Sequence, residues 1–293
     1  MTVIDAHQHV WRFGHRNHSW PEKARRALDR DFTPADLRQL MRSAQVDGTI
    51  LMQSLNDRDE TIEFLTFAAA TPWIYGVVGW VPLAGPEAAA NALDALPYRD
   101  KLVGIRHLIN FEPDPRWLLQ PAIQEAIGVV AAQHLVFDVV PNDAARLAAV
   151  LTTAERHPEM TVVIDHLGRP PVVAAGWEPW ASQVAHAAQM PNVFIKLSVG
   201  LDIVLDWPWA SDELRPYVDH VLEHFGPDRV MAASNWPVST LAGDYAGLWT
   251  GMRALVSGLN ADESAMVLGG TAIRAFGLGG GTSDCRILGG QRA

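Results

Sequence analysis

Two histidines near the N-terminus have the spacing of a metal-binding pair. The first β-branched run of the chain ends in Asp5-Ala6-His7-Gln8-His9. Side chains two positions apart on a strand point to the same side, so His7 and His9 can approach one ion together. Neutral imidazoles are common ligands of zinc and similar divalent cations. A hydrogen-bonded pair of structural histidines is the alternative interpretation.

A third histidine follows another apolar run. Asp165 and His166 end the run Thr161–Leu167, directly before Gly168-Arg169-Pro170-Pro171. His166 can act there as a metal ligand or as a general base, because an unperturbed imidazole titrates at about pH 6.5. A buried structural histidine is again the alternative.

Three charged residues lie inside apolar runs, namely Arg106, Asp138 and Lys196. A buried charge costs several kcal/mol unless it is paired, so each of them needs a partner, a ligand or solvent. Arg106 and Lys196 can polarise a carbonyl group or bind a carboxylate, and Asp138 can act as a base. An internal network of ion pairs is the alternative.

Further polar and aromatic residues at the ends of apolar runs are candidates for substrate binding. They are Gln53, His107 and Trp236, while Asn235, which follows the last apolar run, can orient the attacking water. Indole rings stack on the C–H faces of sugars, which favours a substrate-binding role for Trp236. Ordinary packing of a large side chain is the alternative for any tryptophan.

Eight short apolar runs alternate with helical patterns along the chain. The runs are Thr2–Ala6, Gly48–Gln53, Ile74–Trp80, Gly104–Ile109, Leu135–Val140, Thr161–Leu167, Val193–Ser198 and Arg229–Ser234. This order predicts parallel strands joined by crossover helices, two of which begin at Thr33-Pro34 and at Asp57. The fold class is therefore α/β, a single-domain (β/α)8 barrel. Active sites of such barrels lie at the carboxyl ends of the strands, where the candidate residues occur.

Two segments depart from this repeat. Residues 11–30 have no strand pattern, and we expect a long loop over the end of the first strand. Residues 1–278 are assigned to the barrel. Residues 279–293 are glycine-rich and are predicted to form a flexible tail.

Composition excludes several classes of partner. The net charge of −10 argues against nucleic acid, which needs a dense basic surface. The single cysteine, Cys285, excludes an intrachain disulfide framework. No apolar run has membrane-spanning length and the N-terminus is unlike a signal peptide, so we expect a cytoplasmic protein without a membrane partner. The pattern leaves the oligomeric state open.

Several motifs together resemble a known family. They are His7-Gln-His9, Gly76-Val-Val-Gly-Trp80, Gly104-Ile-Arg-His107, Ile164-Asp-His-Leu-Gly168, Lys196-Leu-Ser198 and Ser234-Asn-Trp-Pro-Val238. Their order from Thr2 to Leu278 resembles the amidohydrolase superfamily, in the branch of L-fuconolactonases and L-rhamnonolactonases. The resemblance implies a hydrolase that opens a sugar-acid lactone to the aldonate by water attack.

The resemblance also bears on cofactors. It implies at most one divalent cation, zinc or similar, near His7, His9 and His166. Relatives in this branch that act without a metal leave the requirement open. Asp138 stands where binuclear relatives have a histidine, which argues against a two-metal site.

The chain departs from the family pattern at Asn235, where relatives usually have an aspartate that acts as the general base. An amide cannot take a proton from water. Either His166 or Asp138 serves as the base, or the protein binds lactones without turning them over, or the residue was substituted to trap a ligand. A second enzymatic interpretation is hydrolysis of a dicarboxylate lactone from aromatic breakdown, held by Arg106, Lys196 and Arg169.

Overall fold

An eight-stranded parallel barrel forms the centre of the protein in the computed structural model, which describes residues 1–279. The strands are β1 (Ile4–Gln8), β2 (Gly48–Met52), β3 (Ile74–Gly79), β4 (Leu102–His107), β5 (Val136–Val139), β6 (Val162–Ile164), β7 (Val193–Leu197) and β8 (Val230–Ala232). Each strand pairs in parallel with the next one in the chain. The predicted strands and the (β/α)8 fold class are therefore confirmed, with strand ends that differ from the prediction by at most three residues.

The barrel closes between β1 and β8. Gln8 and Trp236 form a parallel bridge. The amide of His9 donates to the carbonyl of Trp236 at 2.7 Å, and the amide of Asn235 donates to the carbonyl of His7 at 2.8 Å. Closure pairs the two edge strands with each other, so neither is left as an open edge.

Helices surround the barrel. They are α1 (Glu22–Leu28), α2 (Pro34–Ser43), α3 (Arg58–Ala70), α4 (Pro86–Asp94), α5 (Pro121–Ala132), α6 (Ala144–Arg156), α7 (Trp180–Ala187), α8 (Leu201–Val204), α9 (Ser211–Phe225), α10 (Tyr245–Leu255), α11 (Ala261–Ala265) and α12 (Thr271–Ala275). Thr33 caps α2 in a capping box with Asp36, and Asp57 caps α3. Both predicted helix starts are confirmed. Within residues 1–279, no helix is long and apolar enough to cross a membrane.

The predicted loop over residues 11–30 is wrong in part, because it contains α1. Ala24 and Leu28 lie one turn apart and are fully buried, so they form the inner face of the helix. The helix was missed because the charged residues around them mask this apolar spacing. Trp11 also pairs with Phe32 in an antiparallel bridge. The predicted flexible tail lies, from residue 280 onward, outside the described residues.

A β-bulge in β1 determines where its histidines point. Asp5 pairs with Thr49 and Gln8 pairs with Leu51. Between these two pairs β1 contains one residue more than β2, and this extra residue forms the bulge. The extra residue reverses the alternation of side chains beyond Asp5. His7 and His9 consequently face the barrel interior, whereas Asp5 faces the helices and bonds to Tyr245 of α10.

Candidate active site

Four charged side chains form a layer inside the barrel. They are Arg106 on β4, Asp138 on β5, Asp165 after β6 and Lys196 on β7. Below them lies an apolar layer that includes Ile50, Met52, Val136, Val163 and Met231. All four charged residues are at most 2% exposed. Their charges can be tolerated there only because two cations and two carboxylates neutralise one another.

Asp165 contacts both cations and one histidine. Its Oδ2 accepts from Nη1 of Arg106 at 2.8 Å, and its Oδ1 lies 2.9 Å from Nζ of Lys196 and 3.2 Å from Nδ1 of His7. Burial alone would raise the pKa of Asp165, but Lys196, His7 and Arg106 together hold it well below its usual range. Asp165 is therefore an ionised anchor and a weak base.

Asp138 is bound by Lys196, whose Nζ lies 2.5 Å from its Oδ2. Burial and the neighbouring Asp165 raise the pKa of Asp138 to about 7, against the opposing effect of Lys196 and Arg106. Asp138 and Lys196 are both 0% exposed. Both side chains are thus closed off from solvent.

The three histidines predicted as metal ligands lie together at the upper end of this layer. In each of them Nδ1 has an oxygen partner. The partners are Asp165 for His7 at 3.2 Å, the carbonyl of Met52 for His9 at 2.9 Å, and the hydroxyl of Ser198 for His166 at 2.8 Å. When Nδ1 donates to such a partner, Nε2 keeps its lone pair, which is the usual arrangement of a metal-binding histidine.

This histidine cluster fits one divalent cation. The Nε2 atoms of His7 and His9 are 3.0 Å apart, and the rings of His7 and His166 are 4.8 Å apart between centroids. Ligand atoms of His7, Asp165 and His166 also lie within 4.8 Å of one another. Burial lowers the pKa of His9 to about 3 and that of His7 well below its usual range, so both rings are neutral and can donate lone pairs. The positive charge of Arg106, whose Nη1 lies 3.3 Å from Nε2 of His7, also disfavours protonation of the two rings and lowers their pKa.

His166 differs from the base expected from an unperturbed imidazole. Burial holds its pKa well below the usual range, and Arg169, Arg106 and Lys196 lower it further. The ring is neutral at pH 7 but weaker as a base than assumed from the sequence. His166 and Leu167 both have positive φ, 56° and 53°, which ends β6 earlier than predicted and turns the imidazole into the site.

Asn235 stands at the end of β8 with its amide group already engaged. Its side-chain Nδ2 donates to the carbonyl of Val199 at 2.8 Å, and its backbone amide donates to His7. Its φ of 54° lies in the left-handed region, which asparagine tolerates better than most residues. Its Oδ1 can orient water, but it cannot remove a proton.

The predicted substrate-binding residues Gln53 and His107 both have hydrogen-bond partners within the protein, but the partners are of different kinds. Gln53 is 0% exposed and donates to the carbonyl of Arg106 at 3.1 Å, so it supports Arg106. His107 accepts from Nε1 of Trp80 at 3.0 Å and contacts Glu112 through Nε2 at 2.8 Å. A substrate group that bonded to Nε2 of His107 would have to replace Glu112.

Trp236 is 2% exposed and packs edge-on against Phe32. It lines an outer cavity of about 450 Å³ together with residues such as Arg30, Asp36 and Tyr245. His7, His9 and His166 do not line this cavity.

Sequence reasoning missed Asp165 as the central anchor. The signal was present, since Asp165 lies two residues after Val163, just as Asp138 follows Val136, and this spacing puts both carboxylates inside the barrel. It also missed Asp5, which accepts from the Ser234 hydroxyl at 2.6 Å and from Tyr245 at 2.9 Å. The bulge that separates Asp5 from the histidines left no signal in the sequence.

Comparison with known proteins identifies the family. The amidohydrolase family model matches residues 4–278. An L-fucono-1,5-lactonase from Burkholderia ambifaria is 36% identical over 282 residues, covering 93% of this chain and 94% of that protein. A second L-fucono-1,5-lactonase, from Burkholderia multivorans, is 32% identical and covers 94% of this chain and 96% of that protein.

Solved structures agree with these sequence matches. Two crystal structures of an amidohydrolase from Burkholderia multivorans, one with bound HEPES and one with bound zinc, are each 30% identical to this chain. Their TM-scores are 0.86 and 0.85, and each comparison covers 95% of this chain and 100% of the other. The predicted family and the prediction of a hydrolase are confirmed. The chain belongs to the amidohydrolase family, in the branch that contains the L-fucono-1,5-lactonases.

Proposed function

We propose that the protein hydrolyses a sugar-acid lactone to its aldonate, with L-fucono-1,5-lactone as the first substrate to test. The observation that carries the proposal is the cluster of neutral histidines beside Arg106, in which His7 contacts both His9 and His166, in a chain 36% identical to an L-fucono-1,5-lactonase over nearly its whole length. Charge that develops on the carbonyl oxygen during water attack is stabilised by such preorganised groups.

Arg106 is the cation placed to act on the substrate. Its Nη1 lies 3.3 Å from Nε2 of His7 and also donates to Asp165, while its Nη2 donates to Gln53. Lys196 lies deeper, between Asp138 and Asp165, and it is linked to His7 through Oδ1 of Asp165, which lies 2.9 Å from Nζ of Lys196 and 3.2 Å from Nδ1 of His7. We assign Lys196 and Asp138 as positioning residues, and not as groups that touch the lactone.

A dicarboxylate lactone is a poorer fit to the same cations. The three positive groups that would hold its carboxylates each have an acidic partner within residues 1–279. Arg106 is paired with Asp165, Lys196 with Asp138, and Arg169 with Asp202. Half-buried aromatic rings near the strand ends, such as Trp80 and Trp117, suit the C–H faces of a sugar instead.

His166 has two possible roles that exclude each other. Bound through the three histidines, a divalent cation would polarise the carbonyl and lower the pKa of water. His166 is then a ligand, held by Ser198, and Asn235 orients the water. Without a metal, the neutral Nε2 of His166 is the group that accepts the proton from water.

The variant His166→Ala distinguishes the two roles when turnover and bound metal are measured together. Loss of both turnover and metal identifies a ligand. Loss of turnover with unchanged metal content, or with no metal in either protein, identifies the base. Unchanged hydrolysis of the best lactone would contradict both assignments.

A protein that binds lactones without hydrolysing them is the second candidate, and Asn235 is the observation that favours it. If the protein has this binding function, it should show measurable affinity for the lactone but no turnover above the spontaneous rate. Recovery of turnover in Asn235→Asp would then show that the missing carboxylate is the cause.

A further inference from the structure

A second group of potential metal ligands lies on the outer surface of helix α9. His220, Glu223 and His224 occupy positions i, i+3 and i+4, which share one face of a helix. One ligand atom from each lies within 4.8 Å of the others, and the two imidazole rings are 4.4 Å apart between centroids. We propose that this triplet binds one transition-metal ion of the zinc, nickel or copper class, at a site separate from the barrel centre.

The hydrogen bond of His220 prepares its ring for this role. Nε2 of His220 lies 3.0 Å from the carbonyl oxygen of Ala181, in helix α7. A carbonyl can only accept, so Nε2 carries the proton and Nδ1 keeps its lone pair. A backbone carbonyl that fixes the tautomer in this way is a recurrent partner of metal-binding histidines.

Neighbouring rings restrict His220 further, while the other two ligands are open to solvent. Trp177 and Trp180 contact His220 with centroid distances of 5.0 and 5.4 Å. Glu223 and His224 are exposed. Three protein ligands beside solvent leave a fourth position for water, which is common for zinc.

Charge and ligand type favour a transition-metal cation. The triplet lies in the last turns of α9, which ends at Phe225, and the partial negative charge of a helix C-terminus attracts cations. The net charge of −10 acts in the same direction. Two imidazoles and one carboxylate suit zinc, nickel and copper better than magnesium or calcium, which prefer oxygen ligands.

Zinc titration of the full protein by calorimetry tests the site. We compare the wild type with His224→Gln and with the matched control His186→Gln, which alters an exposed histidine that faces Glu155 at 3.7 Å. His224→Gln should weaken zinc binding at this site by about tenfold or more, equivalent to about 1.4 kcal/mol. His186→Gln should bind zinc as the wild type does. Ions held at the barrel centre are common to all three proteins and do not affect the difference.

Equal zinc binding by the wild type and His224→Gln would overturn the proposal. Lactone turnover should stay at the wild-type level in both variants, because neither residue belongs to the barrel centre.

Tryptophan fluorescence gives a second readout that reports position. Bound copper quenches nearby indoles, and Trp177 and Trp180 lie beside His220. Copper should therefore quench the wild type more than His224→Gln, and Trp177→Phe should remove part of the quenched emission. Identical quenching of the wild type and His224→Gln would place the copper elsewhere and overturn the site.

Discussion

Asp165 joins three buried groups of the active site through two oxygen atoms. It pairs with Arg106 at 2.8 Å and Lys196 at 2.9 Å, and it contacts His7 at 3.2 Å. Removing one partner of a buried ion pair leaves the other charge uncompensated, which costs far more than losing an exposed pair. This single side chain thus determines both the charge balance of the barrel interior and the orientation of His7.

We predict that Asp165→Asn lowers the free energy of unfolding by about 3 kcal/mol or more. The amide keeps the shape of the side chain but removes the charge that balances Arg106 and Lys196. Urea unfolding followed by circular dichroism measures the change. Asp206→Asn is the control, since its pair with Lys23 is exposed, and it should cost about 0.5 kcal/mol or less. Similar costs for the two variants would contradict the anchoring role of Asp165.

Sequence reasoning predicted the histidines more completely than the roles of the charged residues. His7, His9 and His166 were expected to lie together, because strand ends meet at one face of a barrel. Gln53 stays a predicted substrate-binding residue, and the structure adds that its side chain donates to the carbonyl of Arg106, 53 positions away in the chain. Strand spacing alone does not give such a partner.

At the scale of elements, the junction of β1, β8 and α10 depends on Asp5. Its carboxylate accepts from the amide and hydroxyl of Ser234, at 2.8 and 2.6 Å, and from the hydroxyl of Tyr245 at 2.9 Å. The same junction sets the positions of His7 and Asn235, which are joined by a backbone hydrogen bond. Closure of the barrel and geometry of the site are therefore coupled.

We predict that Tyr245→Phe lowers the free energy of unfolding by about 1–3 kcal/mol, because a buried acceptor loses one of its donors. Thermal or urea unfolding measures the loss. Tyr98→Phe is the control, since Tyr98 is 50% exposed, and it should change stability by about 0.5 kcal/mol or less. If Tyr245→Phe is as stable as the wild type, the hydroxyl does not support the junction.

The loop after β2 depends on Glu60, in the first turn of α3. Glu60 accepts from the amides of Ser54 and Leu55, at 2.8 and 3.0 Å, and from the Ser54 hydroxyl. Burial raises the pKa of Glu60 from 4.5 to about 7 despite these bonds. The folded protein therefore holds this proton more tightly than the unfolded chain does.

The pH dependence of stability follows from this pKa. The contribution of protonated Glu60 is complete below pH 4.5 and is lost as the pH rises through about 7. Relative to Glu60→Gln, the wild type should lose up to about 3 kcal/mol of unfolding free energy across this interval. Urea unfolding at a series of pH values measures it, with the exposed Glu87→Gln as control. A difference between wild type and Glu60→Gln that is constant with pH would contradict the prediction.

Element boundaries were less predictable than element order. The alternation of strands and helices was sufficient to predict the barrel, and Thr33 and Asp57 correctly marked two helix starts. Helix α1 was missed because only Ala24 and Leu28 bury its inner face among charged neighbours. The β1 bulge was missed because no glycine or proline marks it.

The whole molecule combines a barrel of the amidohydrolase family with an asparagine, Asn235, at the end of β8. Ion pairs fill the interior below the histidine cluster, and Arg106 and the neutral imidazoles lie at the end of the barrel where we propose that the lactone binds. Asn235 supplies an amide where the resemblance to the family implies a carboxylate, and its backbone amide donates to the carbonyl of His7. The central claim is that this arrangement still opens a sugar lactone.

Proton release with a pH indicator tests that claim most directly, using purified protein and a panel of aldonolactones that includes L-fucono-1,5-lactone. We predict turnover of at least one aldonolactone by the wild type, well above the spontaneous rate. Absence of turnover on every lactone, together with activity of Asn235→Asp in the same assay, would contradict the claim and identify a binding protein that lacks its base.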